Sequence, residues 1–87
     1  MLKITRTSDV GNVVLRFEGK LLEPWLAEAR DQVERGLAAA DVVSLDLSKV
    51  SFVDESGAGF LRALALRGIQ IRGCSSFVAE LLQLERA

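Results

Sequence analysis

Histidine is missing from this chain. Its absence removes the commonest general base, the commonest metal ligand and every histidine-containing catalytic triad. One cysteine, Cys74, has no second thiol within the chain to pair with, and a lone thiol makes no zinc site. No apolar run approaches membrane-spanning length. The opening stretch, MLKITRTSDV, lacks the apolar core of a signal peptide. The expectation is a cytoplasmic protein with no direct membrane insertion. An excess of either charge is missing too: 11 basic and 12 acidic residues are well mixed, for a net charge of −1. That leaves neither the basic stripe of a nucleic-acid binder nor a polybasic membrane anchor.

What is present is a folded composition. Hydrophobic residues make up 49% of the 87 and charged residues 26%, outside the range of disordered chains. The length implies one domain, residues 1–87, of modest intrinsic stability.

Four segments alternate with the period of a strand. They are LKITR, VVLRFEG, VVSLDLS and IQIR. In the second, Val13, Leu15 and Phe17 share a face opposite Val14, Arg16 and Glu18. In the third, Val43, Leu45 and Leu47 oppose Val42, Ser44 and Asp46. Each strand thus has one apolar and one largely polar face. Strands covered by helices on both sides give unbroken apolar runs instead.

Three helical patterns lie between and after the strands. EPWLAEARDQVERGLAAA begins with Pro24, whose missing N–H does no harm in a first turn. Leu22, Leu26, Ala29, Val33 and Leu37 form its buried stripe. Arg30–Glu34 and Asp31–Arg35 are spaced as four-apart ion pairs on its wet side. A second helix is expected from Glu55 to Leu66, with Phe60, Leu61 and Leu64 inward and Gly68 at its C-terminal end. A third starts near Ser75, a good N-cap residue, with Phe77, Leu81 and Leu84 inward and Val78 and Leu82 toward the flank.

The order β-β-α-β-α-β-α begins with a hairpin, because SDVGN is rich in turn residues. The later strands follow crossover helices and are expected to be parallel. Right-handed crossovers advancing in one direction put every helix on the same side, which agrees with the one-sided alternation. The expected fold is a two-layer α/β domain: a four-stranded mixed sheet with about three helices on one face.

The stretch DESGAG, where the third strand gives way to the second helix, has two readings. In one it is helix-start chemistry. Asp54 caps the N–H groups, Glu55 places charge where the dipole favours it, and Gly57 and Gly59 let the helix approach the strand. In the other it is a surface read by another protein. A lone Gly-x-Gly makes a weak phosphate cradle, since no lysine follows and no full glycine fingerprint is present.

The segments VVSLDLS, KVSFVD and the small-residue helix start together resemble the STAS domain, the family of bacterial anti-sigma factor antagonists that also occurs in some transporters. The resemblance extends over the first hairpin, the long helix, the DLS..SFVDESGAG core and the closing GIQIRGCSSFVAELL. In the antagonists, the first serine of Asp-Ser-Ser-Gly is phosphorylated by a partner kinase that is itself the anti-sigma factor. Here Asp54 matches the aspartate, Ser56 the second serine and Gly57 the glycine, whereas Glu55 stands at the phospho-acceptor position. A carboxylate accepts no phosphate in this chemistry, and it carries less charge than a phosphoserine.

The resemblance implies a non-catalytic protein–protein interaction domain with no cofactor. The docking residues would be Asp54, Glu55, Ser56, Gly57, Ala58 and Arg62. The partner would be a kinase-type anti-sigma factor or, as for stand-alone STAS domains resembling this one, the ATPase of a bacterial lipid-transport ABC complex. Three residues lie outside this set. Cys74 reads as a small, partly buried residue at a strand end. Trp25 reads as core or edge packing, although an exposed tryptophan is a natural hot spot. Arg67, like Arg62, reads as a solvated charge.

Overall fold

The structure is a computed structural model; it describes residues 2–83, and the side chains of all of these except Phe77, Leu81, Leu82 and Gln83. The elements are β1 (Leu2–Asp9), β2 (Asn12–Leu21), a 3₁₀ turn (Glu23–Trp25), α1 (Leu26–Ala39), β3 (Val42–Val53), α2 (Glu55–Leu66), β4 (Gln70–Arg72) and α3 (Ser76–Gln83).

The hairpin forms as expected, and both strands run longer than their alternation suggested. β1 pairs antiparallel with β2 from Leu2↔Gly19 to Asp9↔Asn12. Two polar side chains tie the turn. The Val10 N–H donates to Asp9 Oδ1 at 2.8 Å, and Asn12 Nδ2 donates to the Val10 carbonyl at 3.1 Å. β2 pairs parallel with β3, and β3 with β4. The spatial order of the sheet is β1-β2-β3-β4, the order of the chain.

One apolar cluster joins Val13, Leu15 and Phe17 of β2 to Val43, Leu45 and Leu47 of β3. It also takes Leu26, Ala29 and Val33 of α1, Phe60, Leu61 and Leu64 of α2, and Val78 of α3. The helices therefore share one face of the sheet. Val78 is a correction: expected on the flank, it is 1% exposed in the core. The inward placement of Phe77, Leu81 and Leu84 lies outside the described side chains. α1 begins at Leu26, because Pro24 and its neighbours form the 3₁₀ turn instead. α1 continues through Gly36, whose buried backbone rests against Val13 and Val43. α2 has the expected bounds, and Gly68 follows it at φ 86°, the left-handed conformation that ends a helix.

β3 departs from simple alternation. Its register against β2 shifts between Arg16 and Glu18 and again between Gly19 and Lys20. Each shift spends an extra β3 residue, as in a β-bulge. Leu47, Val50 and Val53 consequently all turn inward although each lies three positions from the next. The strand reaches Val53 rather than ending at Ser48, and so delivers the chain directly to α2.

The ion pairs are partly redistributed. Asp31 and Arg35 meet at 2.9 Å as the spacing implied. Glu34 is instead taken by Arg67 at 2.8 Å, across the space between α1 and α2. Arg30 lies over the Phe60 ring, 5.8 Å from its centre. Four-apart spacing permits a pair; a competing cation just past the end of α2 decided this one.

On the open face, register places Arg16, Asp46 and Arg72 side by side on β2, β3 and β4. Hydrogen bonds from the Ser48 backbone and hydroxyl hold the Asp46 carboxyl below its ordinary value of 3.8, with Arg16 and Arg72 adding to the effect. A carboxyl more acidic in the folded than in the unfolded chain stabilises the fold above the unfolded pKa. That contribution disappears as pH falls through the folded value. An NMR titration of Asp46 should give a midpoint below that of the unfolded chain, and Asp46→Asn should flatten the acid limb of the stability–pH curve. An unshifted midpoint refutes the assignment.

Candidate functional site

The ends of β2 and β3 close together at Leu21↔Val53. One residue on, the Asp54 N–H donates to the Leu21 carbonyl at 3.2 Å, and the chain turns into α2. Asp54 sits in extended conformation as the N-cap, and its Oδ1 accepts from the Gly57 N–H at 2.7 Å. Its Oδ2 accepts from the Glu23 N–H, 31 residues earlier, at 3.0 Å. One carboxylate therefore ties down the starts of two helical segments. Sequence spacing revealed the first bond and gave no sign of the second, which exists only because β2 and β3 end side by side.

Gly57 completes the seating. A Cβ built there would lie 2.5 Å from the Leu21 carbonyl oxygen and 2.9 Å from Val53 Cγ1. At Gly59 a Cβ meets nothing within 4 Å. Close approach thus depends on Gly57 alone, which corrects the pairing of the two glycines.

These contacts sort the six expected docking residues. All belong to the β3–α2 junction and the first two turns of α2. Gly57 and Ala58 are buried, and Gly57 sets how closely the backbone approaches the end of β2. Asp54 is half-buried and engaged in the two caps. Glu55 and Ser56 are exposed at the tip. Arg62, half-buried, lies two helical turns from Glu55 along the same side of α2.

Other chemistries find less support. Among the described residues, no group of three His, Cys, Asp or Glu side chains is placed to hold a metal ion. Burial pushes the Cys74 thiol up from its ordinary value, so it stays protonated and poorly nucleophilic at neutral pH. A shallow groove between α1 and α2, lined by Val33, Phe60, Leu64, Arg30 and Arg67, has a volume of about 110 Å³. Ordinary ligand pockets measure roughly 300–1,000 Å³. No helix of the described residues is long and apolar enough to cross a membrane.

Trp25, 37% exposed just before α1, packs at the edge of the fold rather than in its core.

The family profile described as "Mlab, STAS domain" matches residues 4–86. The chain belongs to the STAS domain family. Two solved structures share this STAS fold. The anti-sigma factor antagonist SpoIIAA in its unphosphorylated form superposes with a TM-score of 0.66 at 19% identity, over 95% of this chain and 82% of that one. A protein of the DUF3478 family with a SpoIIAA-like fold, from Shewanella loihica PV-4, gives 0.60 at 17% identity, over 87% and 69%. No curated protein sequence matches the chain. Within this STAS domain, the DESG segment is the β3–α2 junction described above.

Proposed function

We propose that this STAS domain is a non-catalytic docking module that meets its protein partner at the start of α2 and is not switched there by phosphorylation. The observation that carries this reading is the contrast within one turn. Asp54 and Gly57 are committed to the fold, while Glu55 and Ser56 are held out to solvent on that rigid seat. In the phosphorylated relatives that the resemblance brings in, the residue at position 55 is the acceptor serine. Here it is a carboxylate at a helix N-terminus, where the dipole favours negative charge.

The leading partner is a kinase-type anti-sigma factor, bound by an antagonist-like regulator that lacks the serine switch. A second reading is favoured by the same Glu55: a fixed accessory subunit on the ATPase of a lipid-transport complex needs no switch.

Baits carrying the parent chain, Glu55→Ser and Glu55→Arg separate these readings when tested against both purified partner types. An anti-sigma kinase held more tightly by Glu55→Ser, and phosphorylating only that variant, supports the regulator. An ATPase held equally by the parent and Glu55→Ser, and lost by Glu55→Arg, supports the fixed subunit. Binding unaffected by Glu55→Arg removes the α2 start from the interface. Phosphate mapped to Ser56 in cells overturns the unswitched reading.

A further inference from the structure

We draw no further inference here: the strongest candidate, the open face of the sheet, where the register sets the exposed cations Lys3, Arg16, Lys20, Lys49 and Arg72 among Asp9, Glu18 and Asp46, carries none, because those carboxylates interleave with the cations and offset most of their charge and nothing in the structure shows what covers it.

Discussion

Gly57→Ala is expected to lower the unfolding free energy by about 3 kcal/mol, the upper part of the usual overpacking range. The added methyl would sit 2.5 Å from a backbone oxygen, that of Leu21, and 2.9 Å from Val53 Cγ1. The oxygen belongs to β2 at the point where Leu21 pairs with Val53 and accepts from Asp54, so it has no room to yield. A flexible side chain would move aside; a paired strand end moves only by breaking its bonds. For a chain of 87 residues the total stability is roughly 4–13 kcal/mol, so the loss is a large part of it. Gly59→Ala, two residues away, is the matched control. Its methyl meets nothing within 4 Å, inside a helix where glycine is unfavourable. It should raise stability by about 0.5–1 kcal/mol. Urea unfolding of both variants gives the comparison, and a Gly57→Ala midpoint equal to that of the parent refutes the close seating of α2.

Asp54→Ala is expected to cost about 3 kcal/mol, because one side chain satisfies two otherwise orphaned backbone donors. The loss should be visible at two sites far apart in sequence. Amide exchange should accelerate at Gly57 and at Glu23, the two donors to the carboxylate. Asp54→Asn separates them. An amide keeps one oxygen for Gly57 but turns its NH₂ toward the Glu23 N–H, donor against donor. Glu23 should then exchange quickly while Gly57 stays protected, at an intermediate stability. Acceleration at Gly57 alone in Asp54→Ala would show that the bond to Glu23 contributes nothing.

These two residues also show how far the sequence could be read. The N-cap role of Asp54 followed from residue type and position, as did the bounds of α2 and the inward set Phe60, Leu61 and Leu64. The hairpin and the one-sided helices followed from turn residues and alternation, both local properties. What failed to show was set by neighbours remote in sequence. Glu23 meets Asp54 only after β2 and β3 pair. Glu34 chose Arg67 over Arg30 because α2 brings a second cation within reach. The bulges of β3 broke its period, so alternation alone lost the segment from Lys49 to Val53. Gly57 and Gly59 are equivalent by spacing, and only the approach of Leu21 distinguishes them. Val78 is buried, contrary to expectation, because helical periodicity gives a face and not what lies opposite it.

The sheet's spatial order, β1-β2-β3-β4, is also the order in which a ribosome releases it. No strand has to be inserted between two that have already paired. Each newly emerged strand finds the outer margin of the existing sheet open, with its helix following to cover the fresh apolar surface. Assembly of this domain can therefore proceed as accretion from the N-terminus. The two-helix clasp at Asp54 is the step at which β2, laid down early, is locked to α2, which arrives late.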